Sequence, residues 1–292
     1  MPKAILVTNT SKHDSGSYRK LAKDILARNN FDCLEYDAFP PLEEHGGSIV
    51  KMENGFLIDG EILSFEIAKD IKFILVLGGD GTVICAARKF LEMSLPVFGV
   101  NIGNIGFLTQ CESNDMEKAI EKLCKGEFLT EERMLINCTF NGKDIGEAIN
   151  DIYIIRNGFS QIVEARVWVN KEEAFSFAGD GVVVSTPTGS TGYNLSAGGA
   201  IVKPDARIMQ ITPMCPHSLK CRSILVSDED EITLAVGRKH KVNPKDVVLV
   251  VDGQEAVFID SDDLIVLRKS DKKALFAKLS DYSFFNVLTQ KL

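Results

Sequence analysis

The helical period that marks the first part of the chain stops near residue 128, and this break narrows the possible folds more than any other feature. From residue 1 to about 125, short apolar runs alternate with helix-length amphipathic segments, the pattern of a parallel sheet covered by helices. Ala4–Thr8 reads as the first strand and Ser17–Asn29 as a helix with Leu21, Ala22, Ile25 and Leu26 on one face. Phe73–Leu77, Thr82–Met93, Pro96–Val100 and Ser113–Lys125 then repeat strand, helix, strand, helix. Glu43–Gly60, with its His45-Gly46-Gly47-Ser48 segment, reads as a loop of variable structure. The prediction for this part is a Rossmann-like α/β domain.

Beyond residue 128 the runs become short and β-rich: Met134–Phe140, Ile149–Arg156, Ile162–Val169, Gly181–Ser185, Ile232–Val236, Val247–Val251, Ala256–Ile259 and Leu264–Arg268. They predict an all-β, sandwich-like second domain. Asn141-Gly142 and Asp252-Gly253 each suit a tight hairpin, the latter between Val251 and Gln254, because Gly tolerates positive φ. The boundaries expected are 1–127 for the α/β domain, 128–275 for the β domain, and 276–292 for a tail that docks through Phe284, Phe285, Val287 and Leu288. The length of 292 residues fits two domains, since single cores stop growing at roughly 250–300 residues.

The 41 acidic residues outnumber the 33 basic ones, and no basic run could neutralise a row of phosphates, which argues against nucleic acid and anionic membranes as partners. The longest apolar stretches, such as Phe73–Leu77, fall far short of the ~20 residues that span a bilayer. The four-residue apolar run near the N-terminus is too short for a signal peptide, so a cytoplasmic protein is expected. The seven cysteines are scattered without disulfide or zinc spacing and read as reduced, buried thiols. No two of His13, His45, His217 and His240 stand at ligand spacing, so any metal should be a hard cation held by oxygen.

Four segments carry chemistry. Phe73–Leu77 runs into Gly78-Gly79-Asp80-Gly81-Thr82, where a helix is due to begin. Glycines there let backbone N–H groups approach a phosphate, and the helix N-terminus adds partial positive charge. Asp80 repels phosphate unless it binds Mg²⁺, accepts a hydroxyl proton, or both; otherwise it caps the helix of a plain turn. At the next strand end, Asn101 and Phe107 lie where open α/β sheets bind ligands, and either line a nucleotide pocket or close a packed loop. The third segment, Gly179–Gly199, opens from a buried strand into Ser-Thr-Pro-Thr-Gly-Ser-Thr-Gly-Tyr, hydroxyl-dense and nearly uncharged, with Tyr193 able to stack on a base. Asn150-Asp151 could grip vicinal ribose hydroxyls or form a turn.

Together these segments resemble the NAD kinase family, whose members phosphorylate the 2′-hydroxyl of the adenosine ribose of NAD. Gly78–Thr82 is similar to its GGDGT loop, Asn101–Leu108 to its NxGxxGFL segment, Asn150-Asp151 to its Asn-Glu pair, and Asp180–Gly199 to its DGxxxSTPTGSTAYxxSAGG signature. Thr212–Leu219, which contains His217, and Val251–Gln254 are similar to later blocks. Asp151 stands for the usual Glu, Gly192 for the usual Ala, and Asn104 for a basic or larger polar residue.

The resemblance implies an active site in the cleft between an α/β and a β domain. Asp80 would be the catalytic base, and Gly78, Gly79, Gly81 and Thr82 would hold the donor phosphates with Mg²⁺ or another divalent cation. The donor would be ATP or polyphosphate. NAD would be held by Asp80, Gly81, Asn101, Phe107, Asn150, Asp151, Asp180, Thr191, Gly192, Tyr193, Asn194, Leu195, Ser196 and Gln254. A homodimer or homotetramer joined through the β domain is implied as well. Two other classes compete. A diacylglycerol-type lipid kinase shares GGDGT, but would lack Asp180–Gly199 and present a membrane-facing surface. A non-catalytic NAD sensor would have no use for Asp80.

Overall fold

The computed structural model describes residues 1–9, 15–39, 49–59, 61–103, 106–158, 162–237, 246–279 and 283–291. His13, His45 and His240, the start of the expected 43–60 loop, and Asn104 lie outside them. The chain divides into two units, Met1–Glu132 with Ala274–Leu292, and Arg133–Lys273.

In the first unit, Asp32–Asp37, Lys3–Thr8, Ile71–Leu77, Val97–Asn101 and Thr109–Glu112 lie side by side as parallel strands, and Phe276 pairs in parallel with Val97. Strands covered on both faces need continuous apolar runs, which Ala4–Val7 and Phe73–Leu77 supply, all fully buried. On one face Ala4, Leu6, Phe73, Leu75, Leu77, Phe98 and Val100 pack with Ala22, Ile25 and Leu26 of helix Ser15–Arg28 and Met116, Ala119, Ile120 and Leu123 of helix Met116–Cys124. Each such side chain contributes about 1.5–3 kcal/mol on full burial. Leu21, expected on that face, is instead exposed: the stripe follows the i, i+3, i+4 spacing of Ala22, Ile25 and Leu26, and Leu21 falls past its edge.

The expected helix Thr82–Met93 is Asp80–Lys89, followed by a separate 3₁₀ turn at Leu91–Met93. Much of the expected 43–60 loop is also ordered. Val50–Met52, Gly55–Ile58 and Glu61–Ser64 form an antiparallel sheet whose three- and four-residue runs are too short to show a period. Helix Phe284–Lys291 belongs to the first unit; the Phe284 ring lies 6.0 Å from that of Phe107, and Lys291 Nζ sits 4.4 Å from the Phe107 centroid.

The second unit is built from antiparallel strands. Ile224–Ser227, Ile208–Met214, Gly181–Ser185, Asp151–Arg156, Val247–Val251 and Glu255–Ile259 form one sheet in that order. Glu172–Gly179, Val163–Val169, Ile232–Val236 and the start of Ile265–Lys278 pair in another, with the hairpin Leu129–Phe140 and Lys143–Ala148. Alternate residues from both sets, among them Ile152, Ile154, Val182, Val184, Val167 and Leu234, close into one core. The strand expected to end at Arg268 runs on to Lys278, because ladder hydrogen bonds between backbones do not need the apolar side chains that Lys269–Lys273 lack.

Both expected hairpin turns have the required left-handed residues, at φ 51° and 78° for Asn141-Gly142 and 48° and 68° for Asp252-Gly253. In the second, Gln254 N–H donates to Val251 O at 3.0 Å, but the ladder pairs Val251 with Glu255, which leaves Gln254 exposed at the tip. Among the described residues no helix is long and apolar enough to cross a membrane.

Candidate active site

Each unit brings together one group of the residues singled out in the sequence. In the first, strand Ile71–Leu77 ends at Gly78, whose N–H donates to Val100 O at 3.0 Å, and helix Asp80–Lys89 begins two residues later. A Cβ on Gly78 would lie 2.5 Å from Thr82 Oγ1, so packing alone demands glycine there. On Gly79 or Gly81 it would meet open space. Glycine at those two positions therefore answers to something other than the packing of this chain, and close approach of a ligand to the backbone is the physical reason such loops have.

Asp80 does not cap the helix. Its Oδ2 accepts the Phe107 N–H at 2.7 Å and its Oδ1 the Leu108 N–H at 2.9 Å, and Gly79 at the N-cap makes no side-chain bond. The Asp80 and Gly81 N–H groups thus meet no side-chain cap, while Thr82 N–H turns back to Gly79 O at 3.0 Å, and the helix start keeps its partial positive charge. A Cβ on Gly106 would fall 1.9 Å from Asp80 Oδ1, so the glycine lets the carboxylate lie against the 106–108 backbone. Asn101 is buried and closes a local turn, its Nδ2 donating to Gly103 O and its Oδ1 accepting Gly103 N–H, both at 3.0 Å. It also borders a cavity of about 140 Å³ with Gly106, Thr109, Val287 and Gln290. Among the described residues no three His, Cys, Asp or Glu side chains gather to hold a metal.

In the second unit, Gly192 lies beside the Asn150-Asp151 pair: a Cβ there would be 3.5 Å from Asn150 Nδ2 and 3.9 Å from Asp151 Oδ2. Two departures from the family pattern, Gly192 and Asp151, thus meet at one spot. Asp151 is buried, and that burial together with the charge of Asp252 pushes its carboxyl up to about 7. A raised acid favours folding while protonated, so this contribution is lost as pH rises from the ordinary carboxylate range through about 7. Tyr193 is 38% exposed and its ring lies 4.9 Å from that of Tyr153. Partial burial and the charges of Asp151 and Asp180 raise its hydroxyl. Asp180 Oδ1 accepts Arg156 Nε–H at 2.7 Å.

The other expected ligand positions differ in setting. Asn194 is fully buried and committed to the interior: its Oδ1 accepts the Thr212 hydroxyl at 2.7 Å, and a Cβ on Gly199 would strike its amide. Thr191 and Leu195 are half-buried, while Ser196 and His217 are exposed. The Thr191 hydroxyl reaches Thr188 O at 3.4 Å, and the His217 N–H donates to Ala178 O at 2.8 Å.

Family models match both parts of the chain, "ATP-NAD kinase N-terminal domain" over residues 61–128 and "ATP-NAD kinase C-terminal domain" over 149–279. The NAD kinase of Lachnoclostridium phytofermentans is 38% identical over 256 residues, which cover 86% of this chain and 90% of that protein. The chain belongs to the NAD kinase family. The NAD kinase of Natranaerobius thermophilus is 36% identical over 291 residues, 98% of this chain and 96% of its own. Membership makes this chain a phosphotransferase that phosphorylates NAD.

Solved structures share the fold. That of an NAD kinase from Archaeoglobus fulgidus in complex with ATP superposes with a TM-score of 0.74 at 24% identity, covering 99% of this chain and 98% of that one. Yeast NADH kinase complexed with NADH gives 0.81 at 20% identity, covering 100% and 87%. An α/β unit followed by a β-rich unit is thus the NAD kinase fold.

The reading of the cysteines as buried needs correction. Only Cys138 is buried, five are half-buried, and Cys215 is exposed at φ 45° with its thiol bonded to Asp180. A sharp left-handed turn after Met214 lifts it from the strand, which its apolar neighbours in sequence conceal. Cys85 donates its thiol to Ala38 O at 2.9 Å, and burial raises its pKa. Mild alkylation should therefore label Cys215 before the others. The rate should climb later with pH than for a free thiol, since the Asp180 hydrogen bond and charge raise its pKa. Peptide mass mapping over a pH series checks this, and first labelling at Cys85 would contradict it.

Proposed function

We propose that this chain transfers the γ-phosphoryl group of ATP to the 2′-hydroxyl of the adenosine ribose of NAD, forming NADP. The observation that carries this reading is a carboxylate, Asp80, at the first residue of a helix whose flanking Gly79 and Gly81 have open space where a side chain would stand. Magnesium enters with the substrate, as the ATP complex, where it neutralises the phosphates. The N–H groups of Gly79, Asp80 and Gly81 and the helix N-terminus hold those phosphates, the Thr82 N–H being taken by Gly79 O. Each Asp80 oxygen accepts one backbone N–H and keeps a second lone pair, so the carboxylate can take the hydroxyl proton from where it stands.

Asn101 and Phe107 border the nucleotide. Asn150, Asp151, Asp180, Gln254 and the 191–196 segment hold the dinucleotide, with Asn194 acting from beneath the loop. ATP as donor is supported by the archaeal relative, whose structure is an ATP complex. Cytoplasmic action as a homodimer or homotetramer belongs to the same reading.

The test is to incubate the purified chain with NAD and MgATP and assay NADP with an NADP-specific dehydrogenase. NADP should accumulate, and far less with polyphosphate. Phosphate appearing on diacylglycerol instead, or NAD binding without turnover, would replace this reading with a lipid kinase or a sensor.

A further inference from the structure

The segment Ile149–Asp151 is held in an unusual way. Asp252 Oδ2 accepts the Ile149 N–H at 2.8 Å, and its Oδ1 accepts the N–H groups of Asn150 at 2.8 Å and Asp151 at 3.1 Å. The carbonyls are taken too. Thr186 Oγ1–H donates to Ile149 O at 2.6 Å, Thr186 N–H to Asn150 O at 2.8 Å, and Asp252 N–H to Asp151 O at 2.9 Å. All six backbone polar groups of three successive residues thus have assigned partners, and four of the six involve Asp252. Gly189 presses from the other side, where a Cβ would lie 2.1 Å from Asn150 O. With the backbone so fixed, the only freedom left to Asn150 and Asp151 is in their side chains, which lie beside Gly192 of the hydroxyl-rich loop.

We propose that Asp252 is a positioning residue of the dinucleotide site, its carboxylate gathering three consecutive backbone amides and thereby aiming the side chains of Asn150 and Asp151 at NAD. This rests on the reading that Asn150 and Asp151 hold NAD. A hairpin turn accounts for an Asp at this position, but not for a carboxylate that reaches three amides of another strand. At φ 48° glycine would sit with less strain, and the turn itself needs only the Gln254 N–H to Val251 O bond. The carboxylate also places a negative charge near a buried carboxyl, an arrangement that turn formation alone does not call for.

The groups facing Asp151 are Asp252 from the hairpin tip, Tyr153 from its own strand and Tyr193 from the loop. Of these only Asp252 is a second carboxylate, and its charge adds to burial in raising Asp151. Ionised Asp151 accepts ribose hydroxyls, so KM for NAD should fall as pH rises through about 7.

Two variants separate positioning from mere folding. Asp252→Gly suits the left-handed turn but removes the acceptor; Asp252→Asn keeps one acceptor oxygen and removes the charge. In the full-length enzyme, Asp252→Gly should raise KM for NAD by about tenfold or more while KM for ATP and kcat at saturation stay within about threefold. In Asp252→Asn the pH midpoint of the NAD KM should move below that of the unmodified enzyme, a shift that a loss of stability alone does not produce. Asn150→Ala serves as the control on the underlying reading and should raise KM for NAD alone.

If Asn150→Ala weakens NAD but both Asp252 variants keep the normal KM and midpoint, the positioning role is wrong. If Asn150→Ala leaves KM for NAD unchanged, the NAD reading of the pair is what fails. Should Asp252→Gly not fold, KM for NAD in Asp252→Asn at a pH above its midpoint decides alone: Asn keeps one acceptor oxygen for three amides, so a raised KM supports the role and an unchanged KM rejects it.

Discussion

Replacing Asp80 by Asn should lower kcat by about 10²- to 10⁴-fold, the loss expected when a positioned general base is removed. Asn keeps the size and one acceptor, so it can still take one of the two N–H groups, from Phe107 or Leu108, that the carboxylate holds. The other amide then faces an NH₂ group, and an unsatisfied buried donor costs about 1–3 kcal/mol, so some thermal stability goes as well. NAD affinity, measured by calorimetry, should fall much less than kcat. Gly106→Ala is the companion variant, because its Cβ would fall 1.9 Å from Asp80 Oδ1 and displace the carboxylate without altering its chemistry. Comparable losses in kcat from both variants would tie rate to the place of the carboxylate as well as its charge. Near-normal kcat in Asp80→Asn would leave Asp80 as a clamp on the 106–108 loop and nothing more.

Tyr193→Ala should weaken NAD by about ten- to a hundredfold, since stacking of a base on an aromatic ring contributes about 1–3 kcal/mol. The ring is suited to that use. It is only partly covered by its own protein, and it leans on Tyr153 at 4.9 Å, which holds it at an interplanar angle of 59°. Tyr193→Phe should lose far less if stacking outweighs the hydroxyl. The ring pair itself contributes about 0.5–1.5 kcal/mol, so Tyr193→Ala should also melt slightly lower. A lowered melting temperature with unchanged NAD affinity would make Tyr193 a packing residue of the loop.

Much of the fold could be read from the chain, and the reasons differ by element. Gly181–Ser185, Ile232–Val236 and Val247–Val251 end where expected because each is a short, mostly apolar run bounded by polar or turn residues. Glu172–Gly179 escaped notice because it opens on two glutamates and leaves most alternate positions in solvent. At the site, the Gly78–Thr82 loop and the Asn150-Asp151 pair are legible as local chemistry. What Asp80 and Asp252 hold is not: their amide partners lie 27 and about 100 residues away in sequence, and such hydrogen bonds leave no period or spacing to detect. The same limit applies to Asn194, whose amide reads identically whether it faces a ligand or, as here, the interior.

The first unit is drawn from both ends of the chain, with Ala277 and Leu279 completing a core begun by Ala4 and Leu6. During synthesis the whole of Arg133–Lys273 emerges from the ribosome before those last core residues do. The β-rich unit can therefore close on itself first, while the α/β unit waits with an open edge at Val97 for Phe276 to arrive. Until then the phosphate loop has a scaffold that is still incomplete. Catalytic competence is thus deferred until residues 274–279 have followed the β-rich unit out.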